Sequence, residues 1–257
     1  MMPQPYYQDE TVTLYHSRCE CILPELEQVD HIITDPPYSA HVHGAARSSR
    51  MVSANDRGGK YGADVRRNVD LGFTHLTDEE RLEVSGEFAR LARRWVLAFS
   101  DTESSHLWQR DLTASGLQYV RTCFWHKMGS TPQFSGDRPA VAVEAITVAH
   151  PPGRKRWNAG GKHGLYAHPI VLDRSRSGAG RLHTTQKPES LMAELIADFT
   201  DEGDVILDPY AGSGTTLMVA KRAGRRAIGV EQDERYCEVI ANRLGSVGRS
   251  LFDEVTA

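Results

Sequence analysis

The sequence has few cysteines and no long apolar run, and both absences exclude whole classes of protein. Its four cysteines form no C-x-x-C pair, which excludes a disulfide-rich secreted fold and favours a reducing cytosol. No run of eighteen apolar residues occurs, so we expect no transmembrane helix. The first residues, MMPQPYYQDE, have neither a basic start nor an apolar stretch, so we expect no signal peptide and a cytoplasmic protein.

An excess of basic charge is also missing. The chain has 30 Lys and Arg against 34 Asp and Glu, a net charge of −4, which excludes a globally basic nucleic-acid binder. Its 257 residues, 40% hydrophobic and 25% charged, are typical of one large globular domain over 1–257. The close thiols Cys19 and Cys21 lack the further ligands of a tetrahedral zinc site, so we predict no metal.

Basic residues are concentrated in two segments rich in Gly, Ser and His. Eight Lys or Arg stand against one acid between Pro151 and Lys187, and six against two between His41 and Asn68. We predict a basic loop over 39–76 and a target-recognition insert over 150–182, although a solvated surface is the simpler interpretation of each. The candidate DNA contacts are Arg154, Lys155, Arg156, Trp157 and Arg174, with Arg47 and Arg50 in the earlier loop.

Short apolar strands alternate with amphipathic helices along the chain. This alternation predicts an α/β fold with a mostly parallel sheet covered on both faces. Strands are predicted over 29–34, 95–100, 119–126, 144–149, 205–207 and 227–230, and helices over 77–94, 103–114, 188–199, 215–223 and 234–244.

A glycine-rich turn lies between a strand and a helix in VILDPYAGSGTT, residues 205–216. Gly212 and Gly214 let the backbone turn tightly and approach a ligand. The next strand ends at Glu231, which can accept both hydroxyls of a ribose. This order of strand, loop, helix, strand and acid indicates a site for a nucleoside-containing cofactor. The alternative interpretation, without a ligand, is a tight turn beside a solvated acid.

A second strand end carries Asp35, Pro36, Pro37 and Tyr38. The two prolines remove two N–H donors and keep the backbone extended. The Asp35 carboxylate and the Pro36 carbonyl are then neighbouring acceptors, which complement an amino group with two N–H donors, such as that of adenine or cytosine. Tyr38 offers a face on which a base can stack. For this tetrapeptide alone, an Asp that caps a turn would be the simpler interpretation.

Five segments, in this order, resemble the S-adenosylmethionine-dependent DNA amino-methyltransferases, the adenine-N6 and cytosine-N4 family. They are LYHSRCECILPEL, HIITDPPY, HTTQKP, DPYAGSGTT and GVEQD, with the β-type order in which DPPY precedes the glycine loop. The resemblance covers most of the chain. It implies a three-layer, Rossmann-like fold with a seven-stranded sheet, S-adenosylmethionine as cofactor, and double-stranded DNA from which the target base is flipped.

The same resemblance implies roles for individual residues. Asp35, Pro36, Pro37 and Tyr38 would form the catalytic turn that holds the target amino group. Asp208, Tyr210, Ala211, Gly212, Gly214 and Thr215 would surround the methionine part of the cofactor. Glu231 would bind its ribose and Lys187 its carboxylate. The family usually has Gly-Asp where this chain has Ser17-Arg18, which puts one contact to the cofactor's adenine in doubt.

Three alternatives remain beside adenine-N6 methylation. Cytosine-N4 enzymes more often have Ser at the position of Asp35, so adenine is favoured on this pattern. Methyltransferases of RNA or of protein glutamine usually have NPPY after the glycine loop, and a non-enzymatic nucleotide-binding module would not need the DPPY turn. We expect a bacterial, phage or prophage origin, with a homodimer and a cognate restriction enzyme as candidate partners.

Overall fold

One nine-stranded sheet organises the part of the chain that the computed structural model describes, residues 2–38, 76–130, 132, 136–171 and 186–246. Its strands are β1 (Tyr7–Gln8), β2 (Val12–His16), β3 (His31–Thr34), β4 (Val96–Ser100), β5 (Gln118–Met128), β6 (Val143–His150), β7 (Leu165–Pro169), β8 (Val205–Asp208) and β9 (Arg226–Glu231). The order across the sheet is β1-β2-β9-β8-β3-β4-β6-β5-β7.

Most of these strands point the same way. The adjacent strands β2, β9, β8, β3 and β4 are parallel, β6 is antiparallel to β4 and β5, and β7 is parallel to β5. Seven strands therefore end at one edge, which we call the carboxyl edge, and β6 begins there. The opposite side is the amino edge. Functional groups of open α/β sheets collect at carboxyl ends of strands, so the carboxyl edge is where a site is expected.

Helices cover both faces of the sheet, as the sequence predicted for an α/β fold. They are α1 (Cys19–Ile22), α2 (Asp78–Leu91), α3 (Ser105–Ala114), α4 (Glu189–Phe199), α5 (Thr215–Arg222) and α6 (Glu234–Ser246). On one face Phe88 of α2 and Trp108 of α3 stack, with ring centroids 6.3 Å apart, over Ile32 and Val96. On the other face α4, α5 and α6 bury their apolar sides against strands on both sides of β3.

Three strands and one short helix were not predicted. β2 has buried Val12 and Leu14 in alternation, a pattern that does mark a strand, whereas β1 has only two residues. With β7 at the other side, the sheet has nine described strands rather than the seven that the resemblance implies. β7 lies within 150–182, so this stretch is not all loop as its composition suggested: Tyr166 is fully buried there and its hydroxyl donates to Asp198. Its role as a target-recognition insert stays a prediction.

The described ranges contain no helix long and apolar enough to cross a membrane. Within the same ranges no group of three or more His, Cys, Asp or Glu side chains is arranged to hold a metal ion. The four cysteines are free thiols, and Cys19, Cys123 and Cys237 are buried.

The start of α2 matches its sequence signal and gives a stability prediction. Thr77 Oγ1 accepts a hydrogen bond from the Glu80 amide, while Glu80 Oε2 accepts one from the Thr77 amide. We expect Thr77→Ala to lower the free energy of unfolding by about 1 kcal/mol, because this reciprocal cap is lost. Thermal unfolding measures it as a fall of about 2–4 °C in Tm.

Thr113→Ala is the matched control for this prediction. The Thr113 hydroxyl is exposed within α3 and donates only to the Gln109 carbonyl of its own helix. Its loss should leave Tm unchanged or slightly higher, because Ala is the better helix former. Equal Tm values for the two variants would contradict a stabilising cap at Thr77.

Candidate active site

The DPPY turn and the glycine loop lie side by side at the carboxyl edge. The first follows β3 and the second follows β8, and these strands are paired with Ile32 opposite Leu207. Thr34 Oγ1, one residue before the DPPY turn, donates to Asp208 Oδ1 at 2.8 Å. Two segments some 170 residues apart in sequence are therefore fixed together by a buried hydrogen bond.

The glycine loop has the left-handed backbone that its sequence predicted. Gly212 has φ = 53° and Gly214 φ = 75°. A Cβ on Gly214 would come within 2.8 Å of Ile240, so packing against α6 requires glycine there. A Cβ on Gly212 would meet only the Tyr210 carbonyl oxygen, at 4.0 Å. Gly212 thus borders open space at the carboxyl edge, where the backbone can approach a ligand.

Glu231 is held against this loop at the end of β9. Its Oε2 accepts from the Gly212 amide and its Oε1 from the Asp233 amide, both at 2.8 Å. Burial raises the pKa of Glu231 to about 7 and that of Asp208 to about 6. Each carboxylate oxygen can accept more than one hydrogen bond, so Glu231 retains capacity for the hydroxyls of a ligand beside Gly212.

Asp35 presents one free oxygen at this edge. Its Oδ2 accepts from Lys187 Nζ at 2.5 Å, and the same ammonium donates to the Tyr38 hydroxyl at 3.2 Å. Its Oδ1 is buried and accepts no hydrogen bond within the described part of the chain. Burial raises the pKa of Asp35, against the opposing effect of Lys187. A buried acceptor without a donor is costly, so Oδ1 is suited to receive an N–H group of a ligand.

Lys187 is buried in a ring of aromatic side chains. Its ammonium lies 5.4 Å from the Tyr38 ring centroid, 5.0 Å from that of Phe99 and 5.9 Å from that of Trp125. Burial alone would lower the pKa of Lys187, but nearby carboxylates hold it above its usual value. Sequence reasoning expected Lys187 beside the cofactor's carboxylate; the structure places its ammonium against the DPPY turn.

Two charged residues at this site were missed by sequence reasoning. Glu144, at the start of β6, lies with Oε2 3.1 Å from Lys187 Nζ and Oε1 2.5 Å from Lys127 Nζ. Lys127 is near the end of β5 on the same face as Trp125, which is buried. An acid at the head of the otherwise apolar segment EAITVA was the signal that could have identified Glu144.

The structure does not bring the predicted DNA contacts after β6 to Asp35. Because β6 is antiparallel, His150 ends it at the amino edge, and the following basic residues lie there. Arg156 pairs with Asp201 and Lys155 donates to Gln118. The Trp157 ring packs on Phe199, with centroids 4.8 Å apart. DNA binding by this stretch, which includes Arg154, stays a prediction that the placement does not favour.

The other predicted DNA contacts, Arg47, Arg50 and Arg174, lie outside the described residues, as does the basic loop predicted over 39–76 except for its last residue, Leu76. The described residues next to these segments lie at the carboxyl edge. Tyr38 comes just before the first segment, and Pro169, at the end of β7, comes shortly before the second. The described chain therefore reaches the side of Asp35 at Tyr38 and again at Pro169.

Comparison with known proteins identifies the family. The family model described as DNA methylase, for N6 and N4 enzymes, matches residues 29–243. The type II methyltransferases M2.LlaDCHI of Lactococcus lactis subsp. cremoris and M2.DpnII of Streptococcus pneumoniae are each 28% identical to this chain over 265 residues. Each alignment covers 95% of this chain and 93% of the relative.

Solved structures share the fold at lower identity. The M1.HpyAVI complex with SAM superposes with a TM-score of 0.66 at 21% identity, over 91% of this chain and 98% of that one. PvuII DNA methyltransferase, described as cytosine-N4-specific, gives a TM-score of 0.69 at 16% identity, over 98% and 93%. The match over residues 29–243, with both motif turns meeting at the carboxyl edge, shows that the chain belongs to the N6/N4 DNA methylase family of S-adenosylmethionine-dependent amino-methyltransferases.

Proposed function

We propose that this chain transfers the methyl group of S-adenosylmethionine to the exocyclic N6 of an adenine flipped out of double-stranded DNA. The observation that carries this proposal is the Asp35 carboxylate, whose buried Oδ1 accepts no hydrogen bond within the described residues. It lies one residue beyond Thr34, which is bonded to the glycine loop at Asp208. A methyl acceptor at Asp35 is thus next to the loop that binds the methyl donor.

The chemistry needs acceptors on both N–H groups of the target. An exocyclic amino nitrogen is a poor nucleophile because its lone pair is delocalised into the ring. Hydrogen bonds to Asp35 Oδ1 and to the adjoining Pro36 carbonyl would draw the nitrogen towards tetrahedral geometry. They would also stabilise the positive charge that grows there during attack, which is stabilisation specific to the transition state.

Lys187 limits where the departing proton can go. Nearby Asp35 and Glu144 hold the pKa of its ammonium above the usual value, so Lys187 remains protonated and cannot act as a base. Asp35 is the carboxylate in contact with the target amino group and is therefore the proton acceptor. Lys187 neutralises Asp35 Oδ2 at 2.5 Å and leaves Oδ1 for the substrate.

The glycine loop supplies the cofactor side. When bound, S-adenosylmethionine supplies an electrophilic methyl group on its sulfonium. The open space at Gly212 and the Glu231 carboxylate beside it fit a nucleoside, with Glu231 on the ribose hydroxyls. Paired strands β3 and β8 hold this loop and Asp35 in fixed relation, which lowers the entropic cost of aligning donor and acceptor.

Adenine is proposed rather than cytosine because position 35 is Asp and not Ser. Methylation of cytosine N4 is the second candidate, since both bases present two N–H donors to Asp35 and the fold is shared with a cytosine-N4-specific enzyme. Base flipping costs a few kcal/mol, and stacking on Tyr38 at about 1–3 kcal/mol would offset it. A homodimer and a cognate restriction enzyme stay proposed partners.

The target base is tested directly by methylating amplified, unmodified genomic DNA. Mass spectrometry of the digested product should show N6-methyldeoxyadenosine that depends on added S-adenosylmethionine. N4-methyldeoxycytidine in its place would overturn the choice of base and leave the reaction class standing. Absence of any methylated nucleoside would contradict the proposed function.

The role of Asp35 is tested with Asp35→Asn. We expect the single-turnover methylation rate to fall by about 10²–10⁴-fold, because the proton acceptor is lost while shape is kept. The Kd for S-adenosylmethionine should stay within about threefold, since Glu231 and the glycine loop are untouched. Asp78→Asn, at an exposed position in the first turn of α2, is the control and should keep the parent rate. A rate for Asp35→Asn within tenfold of the parent would rule out this role.

The pKa of Glu231, about 7, predicts how cofactor affinity depends on pH. Above that value Glu231 is a charged acceptor for the ribose hydroxyls; below it the carboxyl is protonated and the bonds weaken. Affinity of the parent for S-adenosylmethionine should therefore fall between about pH 8 and pH 6, by at most about tenfold, or about 1.4 kcal/mol. Calorimetric titration at several pH values measures this change.

Glu231→Gln should bind weakly at every pH in this range, because it has no titrating acceptor. Glu238→Gln, at an exposed position on α6, should behave like the parent. A Glu231→Gln variant that keeps the parent's pH dependence would show that another group controls cofactor binding.

A further inference from the structure

We propose that Glu144 is a positioning residue of methyl transfer, which holds Lys187 and the Tyr38 hydroxyl around Asp35, and that Lys127 is the counter-ion that fixes Glu144. This inference rests on the proposed function, because it assigns Glu144 to the same site. Nothing in the sequence motifs points to either residue. The contacts of the described residues carry the argument.

The first observation is an alternating line of four charges. Lys127 Nζ lies 2.5 Å from Glu144 Oε1, and Glu144 Oε2 lies 3.1 Å from Lys187 Nζ. Lys187 Nζ in turn lies 2.5 Å from Asp35 Oδ2. Each inner charge touches two of opposite sign, so the position of Lys187 is set by the two carboxylates on either side of it.

The second observation is the rigidity of the elements that carry Glu144 and Lys127. β5 and β6 pair closely, with Glu144 directly opposite Trp125, and Lys127 is two residues further along β5 on the same face. Side chains two apart on a strand share a face, so Lys127 and Glu144 meet without any loop between them. Glu144 thus projects from a fixed backbone towards Lys187, which precedes α4 and belongs to no strand.

Because Glu144 and Lys187 are both buried, the charge of Glu144 acts strongly on Lys187. Glu144 is 8% exposed and Lys187 7%. Burial alone would raise the pKa of Glu144, but Lys187 and Lys127 hold it below the usual value. Without that charge, two ammonium groups would face each other across the site with no anion between them. Their repulsion would act on Lys187 and, through it, on the Asp35 carboxylate that its ammonium contacts.

Tyr38 is affected by the same carboxylate. Burial and the neighbouring Asp35 and Glu144 carboxylates raise the pKa of Tyr38 well above its usual value, so its hydroxyl stays protonated. The hydroxyl accepts from Lys187 at 3.2 Å, and its proton is free to bond to a carboxylate. Glu144 therefore acts on Tyr38, whose ring is the surface on which a flipped base would stack, through the Lys187 ammonium that both residues contact.

A purely structural role for Glu144 is the alternative explanation. In that case the Lys127–Glu144 pair would only tie β5 to β6, and Glu144 Oε2 would have no further function. That oxygen, however, is buried and lies 3.1 Å from the ammonium of Lys187, its ion-pair partner. The two explanations differ in what happens when charge balance is restored without Glu144.

The first experiment is E144Q in the full chain, with amplified genomic DNA and labelled S-adenosylmethionine. We expect the single-turnover methylation rate to fall by about 10- to 100-fold, while Kd for S-adenosylmethionine stays within about twofold, because Glu231 is untouched. E194Q is the matched control: Glu194 also pairs with a lysine, Lys162, but contacts none of the four charges. It should keep the parent rate.

The second experiment is the double variant E144Q/K127Q, which removes both members of the pair. Lys127 is left without its partner in E144Q, so E144Q should have a lowered Tm, and the added K127Q should recover it. A positioning role predicts that the methylation rate stays low in the double variant, since Lys187 still lacks the Glu144 carboxylate. A structural role predicts that the rate recovers together with Tm.

The outcomes separate this inference from the proposed function. A parent that transfers no methyl group to DNA contradicts the proposed function. An active parent with an E144Q rate within twofold of it overturns only the inference, as does a double variant whose rate returns with its stability. A low rate in both variants, with unchanged cofactor affinity and a recovered Tm in the second, supports Glu144 as the positioning residue.

Discussion

The site depends on the line of charges that runs from Lys127 through Glu144 and Lys187 to Asp35, in which the two inner groups are buried and the two end groups are partly exposed. Taking a single one of these groups out of water unpaired would cost several kcal/mol, and only the alternation of signs makes their burial tolerable. An apolar cluster of equal volume would stabilise the fold at least as well. The four charges are therefore better explained by the chemistry at Asp35 than by stability.

The sheet determines which residues can join this line. β3, β6 and β5 reach the carboxyl edge close together, with only β4 between β3 and β6, and β6 does so with its first residues because it is reversed. The reversal has a second consequence at its other end. It carries the chain after His150 to the amino edge, so cations that follow directly in sequence are paired there, as Arg156 is with Asp201. One antiparallel strand thus both completes the site and carries Lys155 and Arg156 to the opposite side of the sheet.

The central elements of the fold were predictable because each had a local signal. The Thr77 cap, the proline before α4 and the apolar segments that became β3, β4, β6, β8 and β9 all express rules that act within a few residues. β7 was missed because its segment has only one fully buried side chain, Tyr166, amid basic and glycine-rich sequence.

The parts of the site that are contiguous motifs could be predicted from the sequence. The ion pairs between residues far apart in the chain could not. DPPY and the glycine loop are contiguous, so their residue types alone suggested acceptors and a tight turn. Glu144 and Lys127 acquire their meaning only from the β5–β6 register and from Lys187, and no short segment contains that information. The same limit applies to Lys187, whose partner Asp35 lies 152 residues away. The lack of pairing information in the sequence also explains why a local excess of basic residues could suggest a DNA-binding segment but could not assign it to an edge of the sheet.

A crystal structure of the chain with bound S-adenosylmethionine tests the account most directly. The account predicts that the ribose contacts Glu231, that the cofactor follows the backbone at Gly212, and that its methyl group faces the space beside Asp35 Oδ1. Lys187 should remain between Asp35 and Glu144. A cofactor whose methyl group points away from Asp35, or a Lys187 drawn out of the line of charges to another partner, would contradict it.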